Sequence, residues 1–229
     1  MATKKISAYA RNTSLLDTDG IYIMELIDTV PVSKTMTILN KRKNLGIPLI
    51  LTPPIDTDFT WTNQGGASLI TTFGNAILIP GSASSSLRIR KKAAPATPYT
   101  ITVAFLKSQI GDSHCGIGFR QSSDGKLHTF AINNQAGSQQ LRSLKWTDET
   151  TFSASYLDKD YFVGGLCILR IADDGVNRIC TFSPDGITFA PFTSVGRTDF
   201  LTANEVIFFG TTVDTVSGGI INVLHWKQA

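Results

Sequence analysis

The stretch "YTITVAFLK" sets Tyr99, Ile101, Val103 and Phe105 on one side against Thr100, Thr102 and Ala104 on the other. A period of two with unequal faces predicts a β-strand buried on one side. The pattern recurs down the chain. "CGIGFRQSSDGKLHTFAI" reads as strand, turn at Ser122-Ser123-Asp124-Gly125, strand, and "LCILRIADDGVNRICTFSPDGITF" as three strands joined by two turns. "EVIFFG" and "GGIINVLHW" supply two more strands, the last ending close to the C-terminus. From Phe59 onward no stretch sustains a 3.6-residue apolar period. Short strands with turn signals about every ten residues predict an all-β fold, an antiparallel β-sandwich or jelly roll.

The turns raise the first question of chemistry, because three of them carry an aspartate: Asp124–Gly125, Asp174–Gly175 and Asp185–Gly186. Glycine accepts positive φ without steric cost and aspartate tolerates the left-handed region. Each pair falls between strand-like runs, so these aspartates are expected to be corners, not an acid pair.

Residues 1–57 read differently. "DTDGIYIMELIDTVPVSKTMTIL" suggests two or three short strands around Asp19–Gly20 and Pro31, followed by the basic "NKRKNLGIP". Pro53-Pro54 forces extended backbone and sets the expected boundary. So few large apolar groups barely hold a core alone. The expectation is an attachment or oligomerisation segment at 1–57, docking onto another protein or entwining with copies of itself, followed by one β domain at 58–229.

Composition supports this division. Charged residues are 17% and hydrophobic residues 42% of 229, the balance of a packed chain. There are 27 threonines and only 3 glutamates, which favours strands over exposed helices. A net charge of +3 is too weak to argue for nucleic acid, and the runs Lys41–Lys43 and Arg88–Lys92 read as a solvated face or a protected strand edge. Cys115, Cys167 and Cys180 have no CxxC spacing, so they are expected as buried free thiols in a chain assembled in a reducing cytosol. No signal peptide and no bilayer-length apolar run is present, and no membrane insertion is expected.

Catalytic patterns are absent. A retaining glycosidase needs two carboxyl groups ~5 Å apart, usually at i and i+2 on one strand. Asp158 and Asp160 in "LDKDYF" have that period but read as solvated loop residues, and Asp173 and Asp174 would point to opposite sides of a strand. His114, His128 and His225 belong to no HExxH or GxSxG context and are expected to be structural. "DTDG" at Asp17–Gly20 lacks the downstream glutamate that closes a calcium loop. No enzyme activity, cofactor or metal is expected. Of the tryptophans, Trp226 continues the Ile220, Asn222, Leu224 face and is assigned to the core. Trp146 in "LKWTDET" closes a strand beside charges and is the better candidate for exposure. Trp146 and Tyr161, with Arg88 and Arg90, are the candidate contacts for a glycan or a protein partner.

At "TPPIDTDFTWTNQGGAS", "LRIRKKAAPATPYTITVAFL", "GFRQSSDGKLHTFAI" and "LRIADDGVNRICTFSPDGITFAPFTSVGRTDFLTANEVIFFG" the chain resembles tail-fibre-type virion proteins of tailed bacteriophages and prophages. The resemblance covers about residues 52–226 and implies a concanavalin A-like jelly roll at the C-terminal end. It also implies a place in the virion after assembly in the host bacterial cytoplasm, contacts with other virion proteins, trimeric or other symmetric self-assembly, and a distal β domain that touches a host-surface glycan. It carries over no catalytic positions. There is no repeat shaft, heptad run or collagen-like stretch, so a short fibre, a fibre subunit and a head or tail decoration all stay open. A carbohydrate-binding host-recognition module is the alternative on the same fold, and a polysaccharide-degrading tailspike is disfavoured by the missing carboxylate pair.

Overall fold

The computed structural model describes residues 22–27, 30–35, 51–81, 86–109, 113–135, 138–160, 165–212 and 218–229. The chain divides into two compact units, 1–48 and 49–229. In the first, strands β1 (Tyr22–Ile27) and β2 (Val30–Thr35) form an antiparallel pair in which Glu25 stands opposite Val32. Asp19–Gly20 and the basic run at 41–43 lie outside the described residues.

The second unit is an all-β sandwich of two antiparallel sheets, each seven-stranded among the described residues. With strands numbered along the chain, the first sheet runs β11 (Phe152–Asp160), β10 (Ser138–Trp146), β9 (Leu127–Gln135), β8 (Ser113–Arg120), β15 (Glu205–Thr212), β6 (Arg88–Ala93), β3 (Thr60–Thr62). The second runs β14 (Ala190–Gly196), β13 (Asn177–Ser183), β12 (Cys167–Asp173), β7 (Tyr99–Gln109), β16 (Gly219–Gln228), β5 (Asn75–Ile79), β4 (Ser68–Ile70). Residues 51–55 belong to this unit: Thr52 donates its N–H to His225 Nδ1 at 3.1 Å and accepts the Trp226 N–H at 2.8 Å.

On β7 Ile101, Val103 and Phe105 lie fully inside the core between the sheets, as expected, but the opposite face is covered too: Thr102 is 5% and Ala104 0% exposed. Facing Ile101, Val103 and Phe105 from the first sheet are Ile117, Phe119, Phe130, Val206 and Phe208. The Asp-Gly pairs are corners, as expected. Gly125, Gly175 and Gly186 have φ of 79°, 96° and 74°. Each aspartate accepts backbone N–H groups of its own turn, Asp174 those of Val176 and Asn177, Asp185 those of Ile187 and Thr188.

One face assignment is corrected. Trp226 does not continue the Ile220 face, because a register shift between Val223 and His225 reverses the alternation. Ile220 is left exposed, while the Trp226 ring packs edge-on against Phe59 at 5.0 Å.

The first sheet is apolar on its outer face as well. Ile89, Leu127, Ala131, Leu144, Trp146, Ile207 and Phe209 form a second buried cluster there, closed by Leu87. The Leu87 N–H donates to Glu149 O at 2.8 Å, and Thr211 Oγ1 donates to Ser86 O, so residues 86–87 and the 147–151 loop are tied down over this face. On β8 the outer-face positions 116 and 118 are glycines. A Cβ at 116 would overlap Phe130 O, and one at 118 would stand 2.5 Å from His128 O. The Trp146 indole donates from Nε1 to Thr129 Oγ1 at 3.1 Å and meets His114 edge-on at 6.2 Å.

This packing makes Trp146 a stability residue. Trp146→Ala is expected to cost about 3–5 kcal/mol in urea denaturation, the range for a buried tryptophan. A loss under about 1 kcal/mol would mean that the second cluster is not a formed core.

Candidate functional site

The candidate contacts read from sequence do not come together. Trp146 is 2% exposed, which corrects the expectation of an exposed ring: the charges that follow it belong to the 147–151 loop, which folds over it. Arg90 is 5% exposed, donates to Asp56 and stands over the Trp61 ring at 5.1 Å. Arg88 donates to Asn63 O and Oδ1, both at 3.2 Å. Tyr161 lies outside the described residues. The basic run Arg88–Lys92 is therefore not an open charged face. β6 is an inner strand between β15 and β3, and its charges pair in turn with Asp56, Glu205 and Asp58.

Further charges on the first and second sheets are paired as well. Arg120 donates to Glu149 Oε1 at 2.8 Å and to Glu205 Oε2 at 2.5 Å, and Glu205 also takes Lys91 at 2.6 Å. This group anchors the 147–151 loop to β8 and β15. Asp173, 1% exposed, accepts Arg197 Nε at 2.9 Å.

A histidine, a serine and a cysteine do meet between the sheets. His128 Nε2 lies 2.8 Å from Ser143 Oγ and 3.9 Å from Cys180 Sγ, and its Nδ1 is 3.2 Å from Arg178 Nη1. The guanidinium can only donate, so Nδ1 accepts and the ring proton sits on Nε2, pointing at Ser143. His128 thus lacks the free Nε2 lone pair that a general base for Ser143 would need. Burial, then the charges of Arg178 and Lys145, push its pKa well below the ordinary value. Burial likewise pushes the Cys180 thiol up to about 12, so it is no thiolate. Tyr156 completes the group, its ring 4.8 Å from that of His128 and 4.4 Å from Lys145 Nζ. The cluster is a structural knot.

What stays open is a strip along β10 and β11 on the outer face of the first sheet. The β10 register puts Gln140, Arg142, Leu144 and Trp146 opposite Asp160, Asp158, Ser155 and Phe152. Arg142 grips Asp158 through Nε at 2.9 Å and Nη2 at 3.0 Å, and reaches Ser155 Oγ at 3.3 Å. Gln140 donates to Asp160 Oδ1 at 3.2 Å. Phe152 is 48% exposed and rests edge-on against Trp146 at 5.6 Å. Partial burial pushes Asp158 up. Hydrogen bonds from Arg142 and Ser155, with the charges of Arg142 and His114, more than offset that and hold its carboxyl below the ordinary range. Asp158 and Asp160 are thus strand residues sharing a face, not loop aspartates. Six residue steps along β10, from Gln140 to Trp146, make the strip about 20 Å long. Sequence reading missed Gln140, Arg142 and Phe152, although "TFSASYLDKD" holds the signal in the period of two shared by Asp158 and Asp160.

Among the described residues no group of three or more His, Cys, Asp or Glu stands together to hold a metal ion, and no helix is long and apolar enough to cross a membrane. No protein-family model matches the chain. No curated protein matches it either. Solved structures do. A functionally unknown protein from Saccharomyces cerevisiae is 16% identical, covering 77% of this chain and 98% of its own, with a TM-score of 0.58. A GH43 glycoside hydrolase engineered to display both endo-xylanase and exo-arabinofuranosidase activity is 11% identical over 78% of this chain, with a TM-score of 0.56, and only 39% of its own length is matched. The VIP36 exoplasmic/lumenal domain, in its Ca2+/Man3GlcNAc-bound form, is 9% identical over 78% of this chain and 86% of its own, with a TM-score of 0.51. At these identities the likeness shows the fold, a concanavalin A-like sandwich.

The buried His128 predicts a pH dependence of stability. Above about pH 6.5 both folded and unfolded states hold it neutral, and it contributes nothing. Below that the unfolded chain binds a proton that the folded chain resists, so stability falls by about 1.4 kcal/mol per pH unit from this group. Denaturation of the wild type and His128→Gln at pH 6.5 and 5.5 should show the wild type losing about 1 kcal/mol more, since the unfolded imidazole is only half protonated at pH 6.5. Equal losses would mean that His128 titrates alike in both states.

Proposed function

We propose that the chain is a non-enzymatic structural protein of a tailed-phage particle, of tail-fibre type, with its sandwich displayed for binding. The virion identity rests on the resemblance of residues 52–226 to such proteins. The N-terminal unit, residues 1–48, which is shorter than the 1–57 expected from sequence, anchors it to other virion proteins and joins copies, as a trimer in the favoured arrangement. A head-fibre decoration is the same role on another surface of the particle.

The observation that carries the non-enzymatic reading is the state of Asp158 and Asp160, a carboxylate pair that shares a strand face. Glycoside cleavage needs a carboxylic acid with a raised pKa beside a free carboxylate. Asp158 is instead lowered, gripped by Arg142 through two bonds, and Asp160 is bonded by Gln140. The His128–Ser143 contact in the core has its proton on the wrong nitrogen for base catalysis.

The second reading is carbohydrate binding in host recognition, and the open strip favours it. Phe152 offers an exposed ring on which the apolar face of a sugar packs, and Arg142, Asp158, Gln140 and Asp160 offer donors and acceptors beside it. The sugar-bound VIP36 domain on this fold is consistent with that use of a sandwich.

On a host-glycan array, Phe152→Ala and Arg142→Ala are each expected to lower binding by at least about tenfold, the loss of one good contact. Silence of the wild type across capsule and lipopolysaccharide would restrict the role to architecture. The same polysaccharides should release no reducing ends on incubation with the chain. Release that Asp158→Asn abolishes would overturn the non-enzymatic reading.

A further inference from the structure

Leu69, Ile77, Ile221 and Phe105 turn into the core from β4, β5, β16 and β7. Side chains alternate along a strand, so their neighbours point the other way, onto the outer face of the second sheet. There the strand registers set Ile70, Ala76, Asn222 and Leu106 abreast, and Ser68, Leu78, Ile220 and Ser108 abreast in the next row. None of the eight is charged, and Ile70, Leu106 and Ile220 are exposed. Gly74 lies against Asn222, since a Cβ there would stand 2.7 Å from Asn222 Oδ1. It also lines a cleft of about 500 Å³ at that end of the face, with two more exposed apolar residues, Leu51 and Phe73. Five of the nine large apolar side chains left exposed among the described residues thus gather here. An antiparallel sheet with one face in water ordinarily turns polar side chains to it, and an apolar patch of this kind marks a contact surface.

The sizes of the side chains in the two rows identify the occupant. In the first row the bulky Ile70 and Leu106 stand on the outer two of the four strands, with the smaller Ala76 and Asn222 between them. The second row reverses this: Ser68 and Ser108 are outside, Leu78 and Ile220 between. A two-fold axis running across the strands, midway between the rows, lays each row on the other row of a second copy. Ile70 then meets Ser68 of that copy, Leu78 meets Ala76, Ile220 meets Asn222 and Leu106 meets Ser108. Every bulky side chain falls on a smaller one, which is the self-complementarity that a two-fold contact requires. Sheets pack face to face in this manner, their side chains interdigitating over about 10 Å. A glycan would find only three polar side chains among the eight, and an anionic surface would find no cation.

We propose that this face pairs two copies of the chain, sandwich to sandwich, across a two-fold axis. Four strands about 4.8 Å apart and the seven residues 74–80 at about 3.4 Å each give a face of roughly 450 Å². Two copies together bury about 900 Å², the low end for a specific pair, so the contact is reversible, with a dissociation constant in the micromolar range or weaker. It is independent of any joining of copies through residues 1–48, and it leaves the β10–β11 strip, which lies on the other sheet, free to bind.

Sedimentation equilibrium of the full chain over about 1–500 µM reads the contact directly. The wild-type mass is expected to double across that range, starting from the monomer or from whatever assembly residues 1–48 hold. Failure of the N-terminal joining therefore shows separately, as a monomer at the lowest concentration. Ile220→Lys should keep the lower mass throughout, with Tm unchanged because the side chain is exposed. Val176→Lys, equally exposed but in the Asp174–Gly175 turn, should follow the wild type. Ser108→Trp makes the face more apolar but fills the hollow that takes Leu106 of the second copy, so it too should keep the lower mass. Equal masses for the wild type and Ile220→Lys at every concentration would overturn the proposal. Tighter association of Ser108→Trp would do the same, because it would mean apolar adhesion without the two-fold fit. So would a chain that never doubles in mass yet sediments with phosphatidylglycerol vesicles unless Ile220 is Lys, which would give the face to a lipid surface.

Discussion

The rest of this structure depends on one constraint: the central strands of the first sheet are buried on both sides. On β15, Val206 and Phe208 face the second sheet while Ile207 and Phe209 face outward, and all four are fully buried. At ~25 cal/mol per Å² neither face can be left in water without forfeiting much of the stability of a fold this size. The second sheet covers one face. Leu87, held by its bond to Glu149, covers part of the other, and the 147–151 loop is clamped by Arg120.

That cover decides what the outer face can offer a ligand. Its centre is closed, and binding is left to the rim along β10 and β11, where Phe152, Arg142 and Asp158 remain in reach of solvent. The chemistry follows from the same economy. With few glutamates and a modest charge, the carboxylates near arginine or lysine are drawn into pairs that pin loops to strands, as Glu149, Glu205, Asp173 and Asp56 are. A group fixed in this way is a poor proton carrier, because its charge is what holds the pair together.

The strands and corners were legible because period-two alternation and Asp-Gly geometry are local: the inner face of "YTITVAFLK" and the three aspartate turns read correctly from the residues themselves. What was hidden depends on distant parts of the chain. The run "EVIFFG" gives no alternation, and its lack of a polar face is the mark of a strand buried on both sides. Trp146 was expected outside because the covering Leu87 is far away in sequence. β11 was read as loop because its burial is slight and its partners Arg142 and Gln140 lie on another strand. Trp226 defeated simple parity because one bulge at Leu224 reverses the faces.

Native-state hydrogen exchange on the folded chain tests the doubly covered first sheet most directly. The account predicts that amides of β8, β9 and β15 exchange only through global unfolding, while those of the edge strands β11 and β14 exchange through local opening at far lower cost. Exchange of β8, β9 and β15 at edge-strand rates would contradict it, because the outer cluster around Trp146 would then not be a core at all.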